Sequence, residues 1–537
     1  MQHYFKYVSL SILVSLTLAS CGSSKLKKQS LDFTVSSFAK KTLELTEEEE
    51  KVWHLYDLEQ DSIPGISLFK AEQILPSRQP KPVVVAVLDS GIDLEHPELE
   101  NQLWTNNDEI ANNNIDDDQN GYIDDTKGYN FLGNSYDEQL EYPRMIAKNI
   151  GEETILAKAK KQHETELSKA KENLFQYKRI KTLVSQAHQS VSQELSKEDY
   201  TKEELEAHTP SSAMNAQNKA ILLQMFEYSD NIPAVIEDVT EGIKFYDERA
   251  NISLSLSHDG RSVVGDDPYD ITDRGYGDAN PMPKDEGESH GTHVSGLILA
   301  ANNNGTGFRG VAPYAKLMAV RVVPNGDEYD KDVALGIRYA VDNGASIINC
   351  SFGKTFSPNS KWVREAIAYA AEKNVLIVHA AGNDSRDLDL EKYTNYPSDQ
   401  LSLEKEVSDN FISIGAISRS ADKDLVASFS NYGKVHVDVF APGDDVYSSM
   451  PGNSYELQGG TSMAAPITSG LAAMLKAYYP ELTAKQLKRI LMQSVTPLDL
   501  EVNIPGEKEQ TTFSNLSKTG GIINAYNALR LTQSLLK

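Results

Sequence analysis

Apolar residues fall into two kinds of pattern along this chain, and each predicts an element. Val83-Val84-Val85-Ala86-Val87-Leu88 is an unbroken, largely β-branched run, as expected of a strand buried on both faces of a parallel sheet. Similar runs recur at 317–323, 346–350, 375–379 and 411–416, and helical spacing fills 332–343 and 361–373 between them. Strands alternating with helices of that length predict a doubly wound α/β layer with a mostly parallel central sheet. One segment breaks the rhythm. From Arg144 to Thr209 there is no Pro and only one Gly, while Leu167, Ala170, Leu174, Tyr177, Ile180, Val184, Ala187, Val191 and Leu195 keep three-and-four spacing. That predicts an amphipathic helix of several turns, with a second helix at about 212–228 packed back on it. Residues of about 135–250 thus read as a largely helical insertion, an ordinary surface excursion or else a structural lid or docking arm, rather than a site.

The N-terminus adds a location. The 12-residue apolar run Val8 to Ala19 follows Lys6 and fits the core of a secretory signal. At about 1.5 Å per residue it is too short to span a bilayer of about 30 Å. It ends in Leu18-Ala19-Ser20-Cys21, which resembles a bacterial lipobox. The resemblance implies a signal over 1–20 and a lipid anchor on Cys21, hence an exported lipoprotein held on a membrane at the periplasm or cell surface. An ordinary signal with a chance Cys is the alternative. Residues 21–50 are polar without a sustained period and read as a tether, which leaves 51–537 as one domain carrying the insertion. The other Cys, Cys350, lies at a strand end and reads as a core thiol; with Cys21 acylated, no internal disulfide forms.

Composition narrows the function. Forty percent apolar and 8% aromatic residues suffice for a core and exclude global disorder. A net charge of −26 argues against a nucleic-acid partner, because phosphate binding needs a surplus of Lys and Arg. The charge is localised: residues 89–140 hold 14 acidic and 1 basic side chains, and residues 261–290 hold 8 and 3. That leaves divalent cations and cationic substrates in view.

Three motifs carry the chemistry. Asp89-Ser90-Gly91 closes the first strand, His290-Gly291-Thr292-His293 opens a helix, and Gly460-Thr461-Ser462-Met463-Ala464 opens another. A hydroxyl is a poor nucleophile near neutrality. It needs a His to take its proton and a buried carboxylate to fix the imidazole tautomer and stabilise its cation. Asp89, His290 and Ser462 supply those roles, although each alone also reads as a cap or a core residue.

Together, in the order Asp, His, Ser, the motifs resemble the subtilisin-like serine peptidases over roughly residues 52–535 apart from the insertion. The resemblance implies a three-layer α/β fold and a serine endopeptidase acting on protein or peptide substrates, with no organic cofactor. It makes Asn383, in Ala380-Ala381-Gly382-Asn383, the oxyanion-hole amide, and Ser351-Phe352-Gly353 the edge that pairs with the substrate backbone. Phe352 stands where the family commonly has Leu, and His293 is a structural His. Asp89 and His290 are 201 positions apart, where compact members use a few tens, so the insertion should overhang the cleft. About 60 residues separate Cys21 from the first strand, and Trp53 to Leu75 resembles the lead-in arm of the mature enzyme, so no folded inhibitory pro-domain is expected.

Calcium enters in two places. Asp116-Asp117-Asp118-Gln119-Asn120-Gly121-Tyr122-Ile123-Asp124 resembles the first half of an EF-hand loop, with Asp116, Asp118, Asn120 and Asp124 and the Tyr122 carbonyl as ligands. Lys127 stands where a true EF-hand has Glu, and a solvated acidic turn is the bland alternative. The loop 302–308, with Asn304 and with Glu98 as its carboxylate partner, resembles a family calcium loop but is one residue longer. In both, Ca²⁺ is structural. The rival reading of the whole chain is a catalytically silent surface lipoprotein that binds proteins.

Overall fold

The structure is a computed structural model that describes residues 44–301, 305–402 and 405–536, together with 31, 33, 35, 38 and 41. The signal segment, Cys21 and Asn304 lie outside the described residues.

Nine strands form the central sheet: β1 (Val84–Asp89), β2 (Gly128–Asn130), β3 (Lys316–Arg321), β4 (Ile347–Cys350), β5 (Leu376–Ala380), β6 (Phe411–Ile417), β7 (Val439–Pro442), β8 (Thr496–Pro497) and β9 (Gly521–Ile522). Their spatial order is β8-β9-β7-β6-β5-β4-β1-β3-β2. Every neighbouring pair is parallel except β8 with β9. The unbroken apolar runs have the physical reason the sequence suggested. In β1, Val85 and Val87 point into one core with the His290 and Ser462 helices, while Ala86 and Leu88 point into the other with Ile337, Ile348 and Ile367. Successive side chains of a strand alternate between faces, so a strand covered on both sides must be apolar throughout.

Five α-helices stand between β2 and the His290 helix: α1 (Glu141–Lys148), α2 (Glu153–Leu195), a short one (Lys202–Ala207), α3 (Ala213–Met225) and α4 (Ile232–Glu248). The 43-residue α2 buries Val184, Ala187 and Val191 with Leu222 and Ile232 of α3 and α4. Near its start it packs Leu156 and Ala159 with Tyr142 and Met145 of α1 and with Phe356. The expected second helix is α3; α4 is an additional one. Chain exit and return meet at one neck, where Asn130 and Asp278 exchange backbone hydrogen bonds of 2.8 and 3.0 Å.

The stretch read as a free tether behaves differently near its end. Thr46 caps a short helix, Glu47–Val52, with a reciprocal capping box, and Leu31, Phe33 and Leu45 pack against the core. Isolated apolar side chains without a period give no sequence signal, yet each finds a groove to cover.

Candidate active site

Asp89, Ser351 and Asn383 all lie at or just beyond the carboxyl ends of β1, β4 and β5. The chain leaves β1 for β2 and β3 on one side and returns to β4 on the other. At such a reversal the crevice beyond the strand ends is the natural ligand site of an open α/β sheet.

Asp89 is fully buried. Its Oδ1 accepts from the Ser90 backbone N–H at 2.8 Å and lies 2.7 Å from Nδ1 of His290. That contact fixes which ring nitrogen faces Asp89 and leaves Nε2 for other work. Burial lowers the basicity of His290, but the charge and hydrogen bond of Asp89 outweigh it and hold the ring above the usual imidazole value. Close packing sets the geometry: Gly291 donates to Ser90 Oγ at 3.1 Å, and a side chain at Gly291 would lie within 3.0 Å of the Ser90 and Gly91 carbonyls. His293, one turn on, is buried and bonded to the Glu456 carbonyl at 3.2 Å. Burial and the neighbouring His290 push it down to about 3, so it stays neutral.

Ser462 stands in the first turn of the helix Thr461–Tyr478. Its Oγ donates to the Ser351 carbonyl at 2.9 Å, and Ser351 Oγ donates back to the Ser462 carbonyl at 2.8 Å. Asn383 turns its carboxamide oxygen to Thr461, accepting from the backbone N–H and the hydroxyl, both at 2.9 Å. Its Nδ2 is thereby directed the other way. A Cβ added to Gly460 would sit 3.3 Å from that Nδ2 and 3.5 Å from the Ser462 backbone nitrogen. Two donors therefore face one small space, which Gly keeps empty at the positive end of a helix. Thr461, which aims the amide, went unnoticed in the sequence because it reads as ordinary helix-start filler.

Ser351 and Phe352 are buried, and Gly353 is exposed beside them. The Phe352 carbonyl contacts His379 Nε2 at 3.0 Å, and burial pushes His379 down to about 4. Asn395, another residue without a sequence signal, donates to the Ala380 carbonyl at 2.9 Å. Its carboxamide lies where a side chain at Gly353 would go and touches the space above Gly382, where Asn431 Nδ2 stands closer, so it floors the space between these strand ends. Cys350 is buried in β4 and burial pushes its thiol up, as suits a core residue.

The acidic loop brings further carboxylates to the expected ligand set. Carboxylate oxygens of Glu109, Asp118 and Asp125 converge within 4.8 Å of one another. Asp116 instead accepts from the backbone of Asn120 and Gly121, Asp124 from Asn113 and Asn114, and Asn120 Oδ1 from the Tyr122 N–H. Glu109, Asp118 and Asp125 accept loop hydrogen bonds too, so all of these side chains build the turn. Asp116 and Asp118 both accept from the Asn120 N–H at 3.0 Å, and Glu109 reaches the Asp118 and Asp124 N–H groups from elsewhere in the loop, a juxtaposition that spacing does not reveal. Burial raises Asp125 to about 6 against the hydrogen bonds of Tyr339, Asn106 and Asn120. An oxygen-only set suits a hard cation such as Ca²⁺, so these residues fit it. Glu98 is buried and bonded by Tyr455 at 3.5 Å.

Comparison with known proteins gives a consistent picture. The model of the subtilase family matches residues 81–517. A thermophilic serine proteinase of Bacillus sp. strain AK1 is 38% identical over 218 residues, 40% of this chain and 47% of that protein. Thermitase of Thermoactinomyces vulgaris is 38% identical over 197 residues, 36% of this chain and 64% of that protein. Subtilisin DY of Bacillus licheniformis is 33% identical over 246 residues, covering 46% and 81%. The chain thus spans about half to two thirds of the length of the first two relatives.

Proposed function

Because this chain belongs to the subtilase family, we propose that it is a serine endopeptidase that cleaves peptide bonds of proteins through an acyl-enzyme on Ser462. The observation that carries the reading is the 2.7 Å contact between His290 Nδ1 and Asp89 Oδ1, made across 201 positions. Attack requires Ser462 Oγ to exchange the Ser351 carbonyl for His290 Nε2 as its proton acceptor. His290, raised in basicity by Asp89, takes that proton and returns it to the leaving amine. Oγ bonds to the scissile carbon, and the carbonyl oxygen becomes an oxyanion in the space faced by Asn383 Nδ2 and the Ser462 N–H. Gly353 pairs with the substrate backbone as an added strand.

Ca²⁺ would be held by Glu109, Asp118 and Asp125, where it neutralises a carboxylate cluster and stiffens the loop; no chemical step passes through it. The helices over 141–248 form an insertion in the peptidase domain. The lipobox reading makes the protein a membrane-anchored exported lipoprotein. A fluorophosphonate probe tests the activity: labelling that disappears in Ser462→Ala supports the peptidase, and folded, Ca²⁺-supplied protein that takes no label favours a silent binding protein.

A further inference from the structure

Arg321 lies directly across from Asp89 in the β1–β3 register, and it is fully buried. Four hydrogen bonds engage all three nitrogens of its guanidinium. Nε donates to Glu288 Oε1 at 2.8 Å, one terminal nitrogen donates to Asn130 Oδ1 and the Gly133 carbonyl at 3.0 and 3.2 Å, and the other to the Ser135 carbonyl at 2.8 Å. Glu288 is only 3% exposed and stands two residues before His290. Its Oε1 also accepts from the Gly91 backbone N–H at 3.4 Å, two residues after Asp89, and its Oε2 from the Lys284 N–H at 2.6 Å.

One ion pair therefore grips four places at once. These are the turn that follows Asp89, the segment that delivers His290, the strand beside Asp89, and residues 130–135, where the chain departs for the helices. A carboxylate and a guanidinium withdrawn from water stay charged only with such close pairing and hydrogen bonding. Simple burial of a strand end asks for no charge at all, and the opposite strand end at Val84 pairs with Lys316, whose ammonium reaches out to the Asn101 carbonyl.

We propose that Glu288, fixed by Arg321, is a positioning residue that sets the Asp89–His290 contact and shields it from motion of the helices between 141 and 248. The inference rests on the reading of Asp89, His290 and Ser462 as the reacting triad. A ring that must keep Nδ1 on Asp89 while Nε2 serves the nucleophile tolerates little displacement, since small misplacements cost rate steeply. The helices hang between the two residues in sequence, and the Glu288–Arg321 pair joins their departure and return to the sheet.

The test compares the full chain with its Glu288→Gln and Glu288→Asp variants. Three quantities are read: kcat and KM on a peptide, the rate of fluorophosphonate labelling from about pH 5 to about pH 9, and the downfield proton NMR resonance of the His290 Nδ1–H. Positioning predicts that Glu288→Gln lowers kcat and the labelling rate at least about tenfold with KM unchanged. It also predicts that the resonance moves or broadens, and that Glu288→Asp recovers part of the loss by keeping the charge. A folded Glu288→Gln with unaltered kcat, pH profile and resonance overturns the proposal. If Glu288→Gln does not fold, Arg321→Lys is read by the same criteria, and if neither folds the pair is a scaffold only and the proposal falls. Wild-type protein that takes no label defeats the peptidase reading separately; the resonance in the variants then decides the positioning claim by itself.

Discussion

Asn383 keeps its carboxamide oxygen on Thr461 and so presents Nδ2 to the space beside the Ser462 N–H. Removing one such donor costs about 10²–10³ in kcat, so Asn383→Ala is expected to lose that much in steady-state assays with KM nearly unchanged. Gly460→Ala should impair kcat as well, by filling the same space with its Cβ. Histidines away from the reaction make a different prediction. His54 and His293 are both fully buried, and burial first, then nearby positive charge, pushes each down to about 3. In the unfolded chain they titrate near 6.5. Between those values only the unfolded state takes up the protons, so stability is lost as pH falls below about 6.5, by about 1.4 kcal/mol per pH unit for each ring. Melting temperatures measured from neutral to mildly acidic pH should fall accordingly, and more shallowly in His54→Phe.

At the scale of elements, the long helix α2 carries the helical segment. It meets α4 where Gly242 faces the ring of Tyr177, and any Cβ at Gly242 would overlap that ring. Overpacking of this kind costs about 1–3 kcal/mol. Gly242→Val should therefore loosen α2 against α4, seen as faster amide exchange across 153–248, while the rate of Ser462 labelling stays at the wild-type value because the neck at Asn130 and Asp278 is untouched. At the root of the segment the side chains are charged and buried. Lys354, next after the Ser351–Gly353 edge, pairs with Glu141 of α1 at 2.7 Å and Asp330 at 2.9 Å. Glu141 also pairs with buried Arg144 at 2.8 Å, and truncating it leaves that guanidinium without its carboxylate while Lys354 keeps Asp330, at about 3–5 kcal/mol. Glu141→Ala is accordingly expected to lower the melting temperature strongly, whereas an exposed pair such as Lys361 with Glu365 should move it little when broken.

For the molecule as a whole, the proposed calcium site makes stability depend on the ion. Chelation is expected to lower the melting temperature, and excess Ca²⁺ to raise it with the logarithm of its concentration; Asp118→Asn should remove most of that dependence, and a melt indifferent to chelator would refute the calcium reading. Sequence by itself determined the sheet and pointed to the groups proposed to react. A strand buried on both faces must be written as an unbroken apolar run, as at Val84–Asp89, and nucleophile, base and carboxylate each demand one residue type at a strand or helix end. It also placed the long helix, whose period needs no partner to be read. What it did not determine arises where distant segments meet. Glu109 joins Asp118 and Asp125, Thr461 aims Asn383, Asn395 floors the space beside Gly353, and Arg321 binds Glu288. None of these pairs has a spacing or a period to announce it, because the chain between the partners is free in length. Only folding, by bringing the carboxyl ends of the strands to one crevice, decides which charges and amides face each other there.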